Sequence, residues 1–263
     1  MIKVSHEVPL CLLNKSKDFN DYDYCLPHLL DENKEYKNYF LKAKKEGRYI
    51  IMDNSLHELG KAYDTSRLLY WISVLKPNEF VVPDIWEDYK GSVKNAEEWR
   101  DIELPVEVEK MVVIQAKTLN EAFECTKTYK ELGYKKLAYS YGASYYNDIC
   151  PHPNKDFGKA LGRIYVITTL YNQGALNDND RVHLLGCAIP QEFKWYDRMK
   201  FIESIDTSNP IMSTLEGIKY FDWGLEEKPT INITDSIEDA VIEDFNQEIL
   251  KHNIEKFRKI NYL

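Results

Sequence analysis

The chain has 263 residues, of which 44% are hydrophobic, a size and composition typical of one α/β domain with a large core. The formal net charge of −9 argues against nucleic-acid binding driven by bulk charge, although it leaves room for a local basic surface. Because no run approaches the roughly 20 apolar residues that cross a bilayer, and the N-terminus lacks a signal-peptide pattern, we expect a cytoplasmic protein without membrane contact.

An apolar strand, a polar turn and an amphipathic helix repeat along the chain, and this pattern predicts a parallel sheet. Short runs rich in Val, Ile, Leu or Tyr predict strands at residues 4–8, 49–52, 80–83, 111–114, 136–140, 181–187 and 202–205. Helical periodicity and capping residues predict helices at residues 34–46, 65–75, 86–99, 119–132 and 238–258. For an eighth strand the candidates are residues 218–223 and 230–233.

The spacing of three polar residues favours a closed barrel over a doubly wound sheet. Asp53, Asp84 and Gln115 each end a predicted strand, and 31 residues separate each of them from the next. This interval matches one strand–helix unit of about 30 residues. The Gly-rich phosphate-binding motifs GxGxxG and GxxxxGK[ST] are absent from the sequence. We therefore expect one domain over residues 1–263, folded as a single (β/α)8 TIM-like barrel.

In such barrels the active site lies at the carboxyl ends of the strands, where Asp53, Asp84, Gln115 and Asp206 are expected to meet. Any one of these acids could simply cap a helix. Converging carboxylates also suit acid/base and nucleophilic chemistry, including glycosyl transfer. A lyase or aldolase would usually need a Lys or a metal there, and no Lys ends a predicted strand. His183 is placed at the opposite end of its strand and is interpreted as structural.

At these residues the sequence resembles the tRNA-guanine transglycosylase superfamily, and within it the phage-type enzymes that put 7-deazaguanines into DNA (the DpdA group). The resemblance runs in order from about residue 49 to residue 212. The segments that carry it are IIMDNSLHELG, VVPDIWED, VVIQA, LAYSYG, HLLGCAIPQEF and SIDTSNPIM.

The resemblance implies an enzyme that exchanges guanine in DNA for a free 7-deazaguanine base, such as 7-cyano-7-deazaguanine, without a metal or redox cofactor. Asp206 would be the nucleophile that forms a glycosyl-aspartate, and Asp53 the general acid/base. The side chains of Asp84 and Gln115 would hydrogen-bond to the base, and His57 and Leu185 would stack on its two faces. Gly186 would let the backbone approach the base closely, and backbone groups near Ser140 and Gly142 would contact its 7-substituent.

The sequence departs from the family in ways that disfavour tRNA as the substrate. No cysteine follows Cys187 in this sequence, so we expect the C-terminal zinc subdomain of the tRNA enzymes to be absent. The first motif of the family contains Gly-Gly, where this chain has Ser55-Leu56. The tRNA enzymes also carry an Arg shortly after the Pro that follows the nucleophile, whereas here no Arg follows Pro210 closely. Three alternatives stay open: a zinc-free tRNA-guanine transglycosylase, a hydrolase that releases bases, and a catalytically inactive barrel that binds nucleic acid. A phage-encoded enzyme would act in the host cytoplasm.

Overall fold

The computed structural model describes residues 2–104, 106–231, 233 and 237–260. Its eight strands are β1 (Lys3–His6), β2 (Asp23–Cys25), β3 (Ile50–Met52), β4 (Glu79–Val81), β5 (Glu109–Val113), β6 (Lys136–Ser140), β7 (Arg181–Leu185) and β8 (Ile202–Thr207). They form one parallel sheet in the order β1-β8-β7-β6-β5-β4-β3-β2. The sheet curls into a nearly closed barrel with alternating helices, so the predicted (β/α)8 TIM-like fold is confirmed.

Helices follow the strands along the chain, and 3-10 turns lie at Leu10–Leu12 and Ile242–Asp244. No helix in the described part of the chain is both long and apolar enough to span a membrane. The helices are α1 (Leu13–Ser16), α2 (Pro27–Glu32), α3 (Lys34–Lys45), α4 (Leu56–Leu59), α5 (Thr65–Leu75), α6 (Tyr89–Arg100), α7 (Leu119–Glu131), α8 (Tyr145–Ile149), α9 (Lys155–Asn172), α10 (Glu192–Trp195), α11 (Asn209–Leu215) and α12 (Gln247–Phe257).

Capping residues explain where the helices begin. Asp64 and Thr118 accept from backbone N–H groups in the first turns of α5 and α7, and both helices begin at the predicted residue. Two predicted starts are wrong, because a later residue is the cap. Asp88 caps α6, which leaves Trp86 in a loop, and Asn246 caps α12.

The second strand, Asp23–Cys25, was not predicted. It has three residues, and the surrounding sequence is too polar to resemble a buried strand. Asp23 is nevertheless buried, because Arg48 pairs with its carboxylate at 2.9 Å. The proposed eighth strand at residues 218–223 is wrong: this segment is irregular and ends in a tight turn. In the other candidate, residue 232 lies outside the described residues, and 230–231 are not in a strand.

β1 and β2 are the two ends of the strand order, and side chains close the seam between them. The N–H of Val4 donates to Oδ2 of Asp21 at 2.8 Å, and its carbonyl accepts from the Asp21 N–H at 2.9 Å. The amide of Asn20 accepts from the N–H of His6 at 2.7 Å and donates to its carbonyl at 2.9 Å. The backbone groups of β1 on this side are therefore satisfied without a full ladder.

The side chains inside the barrel change in character along its axis. At the amino ends of the strands, Arg181 pairs with Glu79, Glu109 and Glu203, and buried Lys136 also bonds to Glu203. Successive inward-facing residues of a strand are two positions apart. From its amino end, β7 therefore contributes the charged Arg181, then the imidazole of His183, and then the side chain of Leu185. Leu185 lines a cavity above the other two.

Candidate active site

A cavity of about 280 Å³ opens at the carboxyl ends of the strands. The four polar residues predicted to converge, Asp53, Asp84, Gln115 and Asp206, all line it. Each ends or follows a different strand, so the parallel barrel brings together residues that are far apart in sequence. Other expected site residues in the wall of the cavity are His57, Leu185, Gly186 and Ser140.

Asp206 lies in β8 and is 4% exposed. Its Oδ1 is 2.9 Å from Nε2 of His183, and its Oδ2 accepts from the N–H of Gly186 at 3.2 Å. Burial, together with the nearby Asp53 carboxylate, raises the pKa of Asp206 to about 7, although hydrogen bonds from Glu7 and Gly186 oppose the shift. Near neutral pH this carboxyl is thus poised between its two protonation states.

His183 contacts the predicted nucleophile, so its placement at the far end of the strand is wrong. It is the third of five residues in β7 and is fully buried. Burial lowers the pKa of His183 to about 3, so the ring is neutral. An ionised Asp206 can only accept, so Nε2 carries the proton, and Nδ1 accepts from the Ser204 hydroxyl at 2.8 Å. The ionised Asp206 therefore selects the tautomer, and the Ser204 hydroxyl satisfies the other ring nitrogen.

Glu7 is a residue of the cavity that sequence reasoning missed. It directly follows β1 and hydrogen-bonds to the carboxyl of Asp206. Burial and then the charge of Asp206 hold the pKa of Glu7 well above its ordinary value. Glu7 is therefore the protonated partner in a carboxyl–carboxylate pair. The strand-end rule that found Asp53 would have found it, had the predicted strand ended at His6 rather than at residue 8.

Asp53 follows β3 and is held by two donors. The hydroxyl of Tyr24 donates to Oδ1 at 2.9 Å, and the N–H of Ser55 donates to Oδ2 at 3.0 Å. Ser55 itself adopts a left-handed conformation, with φ of 56°. Burial raises the pKa of Asp53, and the hydrogen bond from Tyr24 opposes this shift. A raised pKa suits a group that must hold and release a proton.

Asp84 and Gln115 are hydrogen-bonded to each other, so they form one unit in the wall of the cavity. Nε2 of Gln115 donates to Oδ2 of Asp84 at 2.6 Å, and Nδ2 of Asn54 donates to Oδ1 at 2.6 Å. Burial raises the pKa of Asp84 to about 6, while these two amides oppose the shift. A carboxylate has about four acceptor positions, so Asp84 retains capacity for a pair of ligand donors.

A buried ion pair shapes the wall of the cavity beside Asp206. Arg163 of α9 is fully buried and donates to Glu192 at 2.6 Å. It also donates to the carbonyls of Leu185 at 3.1 Å and Gly186 at 2.9 Å. The turn that presents the Gly186 N–H to Asp206 is thereby fixed from outside the barrel. Sequence reasoning missed Arg163, because its contacts connect a helix to a distant strand end.

Aromatic residues around the mouth divide into packed and accessible ones. Of the tyrosines between residues 139 and 146, those at 139, 145 and 146 are buried. Tyr141 lines the cavity, and its ring centroid is 6.4 Å from that of His57. Gly142 lies outside the cavity wall, where a Cβ would come within 2.8 Å of Trp86. The Tyr141 ring therefore faces the cavity, whereas Gly142 makes room for an indole.

Glu58, on α4, is a further acidic residue of the cavity that the sequence did not single out. Among the described residues, its Oε2 is buried without a hydrogen-bond partner. Burial and then the carboxylate of Asp53 raise the pKa of Glu58 to about 9. Glu58 is therefore neutral at physiological pH and adds no negative charge to the cavity.

No protein-family model matches the chain, and no curated protein is significantly similar to it. Within the ranges that the structure describes, no group of three or more His, Cys, Asp or Glu side chains is arranged to hold a metal ion.

Proposed function

We propose that the protein exchanges guanine in DNA for a 7-deazaguanine, such as 7-cyano-7-deazaguanine, through a covalent glycosyl-aspartate. The observation that carries this proposal is the presence of two carboxyls in one cavity, Asp206 and Asp53, each held by its own donors. The order of the six family-like segments supports the choice of substrate. Base exchange needs a nucleophile and a separate proton donor, and the cavity offers both.

In the first half-reaction an oxygen of Asp206 forms a bond to C1′ while the bond from C1′ to N9 of guanine breaks. The electron pair of that bond stays on the purine, and protonated Asp53 supplies the proton that neutralises it. In the second half-reaction Asp53 takes the N9 proton of the incoming base, whose nitrogen attacks C1′ and releases Asp206. The N–H groups of His183 and Gly186 stabilise the departing carboxylate.

The Asp84 unit accounts for recognition of a guanine-like base. Guanine and 7-deazaguanines present an N1–H and a 2-amino group side by side, and both are donors. With a pKa of about 6, Asp84 is mostly ionised at neutral pH and accepts such a pair. Gln115 and Asn54 already occupy the other acceptor positions of the carboxylate, so they hold its plane. Adenine lacks this donor pair and would leave the remaining acceptor positions of the carboxylate without a ligand donor.

A covalent-trapping experiment tests the proposal. Wild type, Asp206→Asn and the surface control Asp197→Asn are incubated with guanine-containing DNA and, separately, with tRNA, and then denatured. We expect an adduct with DNA in wild type and control that is lost in Asp206→Asn. An adduct with tRNA alone would retain the mechanism and reject DNA. Guanine release without an acceptor base would indicate a hydrolase, and binding without an adduct would indicate an inactive barrel.

A further inference from the structure

An aromatic rim, which we define as His57, Trp86 and Tyr141, surrounds part of the cavity mouth. The centroids of the Trp86 and Tyr141 rings each lie 6.4 Å from that of His57. Trp86 is 39% exposed although it lines the cavity, and its neighbour Ile85 is 43% exposed. Single exposed apolar residues are common, but two adjacent ones beside a carboxylate-lined cavity indicate a surface that contacts a bound molecule.

The loop that carries this pair is held in place. The hydroxyl of Ser92 accepts from the N–H of Ile85 at 2.9 Å and donates to its carbonyl at 3.1 Å. Glu87 adopts a left-handed conformation, with φ of 50°, and its N–H donates to Gln115 at 2.8 Å. Such a conformation is uncommon for a residue other than Gly. The indole of Trp86 is thus presented outward by a fixed backbone, and the contact through Gln115 connects it to Asp84.

Positive charge lies beside the rim in a chain that is acidic overall. Nζ of Lys228 donates to the hydroxyl of Tyr141 at 3.0 Å and lies 4.7 Å from the centroid of its ring. Lys228 and Lys159 are also close enough to His57 to act on its imidazole electrostatically. The carboxyls inside the cavity disfavour an anionic group there, whereas the two Lys residues favour an anionic group at its mouth.

We propose that Trp86 stacks on the nucleobase next to the target guanosine, while Lys228 and Lys159 pair with the flanking phosphates; the identity of the target rests on the proposed function. Aromatic rings with adjacent cations are the usual way in which proteins hold unpaired nucleotides. The substrate is therefore a nucleotide within a single-stranded or locally opened strand, and its neighbour in the strand binds outside the cavity.

A binding cycle tests the stacking contact without relying on catalysis. Affinities for a single-stranded oligonucleotide with one guanosine are measured by fluorescence anisotropy, in an Asp206→Asn background that prevents adduct formation. Trp86→Ala should weaken binding at least about fivefold. Trp86→Phe should retain most of the affinity, and Tyr165→Ala, which removes an aromatic that is 50% exposed on α9, should bind as the parent does.

The same measurements on an oligonucleotide with abasic sites on both sides of the guanosine isolate the neighbouring base. There the penalty of Trp86→Ala should disappear. An equal penalty on both oligonucleotides, no penalty on either, or a parent protein that does not bind would overturn the proposal. Lys228→Gln should lower the slope of log affinity against log salt by about 0.7, as expected for one phosphate contact.

The outcome is separable from that of the proposed function. If wild type exchanges no base but Trp86 still contributes to binding through the neighbouring base, the rim is supported and base exchange is rejected. If wild type exchanges guanine but Trp86→Ala costs the same with abasic neighbours, base exchange is supported and the stacking contact is rejected.

Discussion

The ring of Tyr24 lies parallel to the imidazole of His183, with their centroids 5.8 Å apart and their planes inclined by 11°. The same Tyr24 donates to Asp53, and the same His183 contacts Asp206. One stacked pair therefore connects the supports of the two carboxyls that would share the chemistry. Its rigidity sets where each carboxyl lies relative to the other.

Tyr24→Phe keeps the stack and removes the hydrogen bond to Asp53. Burial raises the pKa of Asp53 and the bond from Tyr24 opposes this, so the pKa should rise further in the variant. The limb of the pH profile of kcat/KM that Asp53 sets should move to higher pH. Tyr22→Phe is the matched control, because within the described residues its hydroxyl has no partner. Identical profiles for Tyr24→Phe and wild type would contradict this role.

His183→Phe removes the group that holds Asp206 in the plane of attack. We expect kcat for base exchange to fall about 100-fold with little change in KM, because misplacing a reacting atom by about 1 Å costs this much. His183→Gln can still donate a hydrogen bond and should recover part of the loss. His252→Gln is the control, because His252 hydrogen-bonds to the backbone carbonyl of Tyr220 at 2.9 Å and does not line the cavity. An equal change in KM would point to a structural role instead.

Gly186→Ala tests the wall of the cavity beside Asp206. Gly186 has φ of +66°, and an added Cβ would come within 2.3 Å of the Tyr141 ring. Backbone strain costs about 1 kcal/mol at such a position, and displacement of Tyr141 adds to it. Gly174→Ala has a similar φ of +77° with open space around it. Both variants should lose stability in denaturant unfolding, whereas only Gly186→Ala should also lose base exchange.

The stability of the protein should fall as pH rises through the range in which Glu58 ionises. The folded protein retains a proton on Glu58 up to a pKa of about 9, whereas the unfolded chain releases it near 4.5. Unfolding is therefore favoured progressively between these pH values. Glu58→Gln should have a Tm that declines less than that of wild type from pH 5 to pH 9. Glu98→Gln, at an exposed position of α6, should follow wild type.

The fold was predictable from the sequence because seven of the eight strands are short apolar runs separated by helical segments, and three of them end in polar residues 31 positions apart. Asp53, Asp84, Gln115 and Asp206 were predictable for the same reason, since parallel strands end at one face. Asp23–Cys25 was missed because its polarity is compensated by Arg48, which follows it by 25 residues in the chain. Local periodicity contains no information about such a pairing.

Residues that act through contacts were harder to predict than residues that end strands. The role of His183 depends on which way it faces in β7 and on Asp206 lying in the neighbouring strand. Arg163 and Trp86 have ordinary positions in the sequence, on a helix and in a predicted helical turn. Their importance arises from what the closed barrel places beside them, which only the tertiary structure specifies.

The side-chain seam between β1 and β2 has a consequence for edge-to-edge pairing between molecules. On one side β1 is bound by a backbone ladder to β8, where Ser5 is paired with Asp206. On the other side Asn20 and Asp21 occupy the backbone groups that an exposed edge strand would offer to another chain. The seam therefore closes this edge of β1 against pairing with a second molecule.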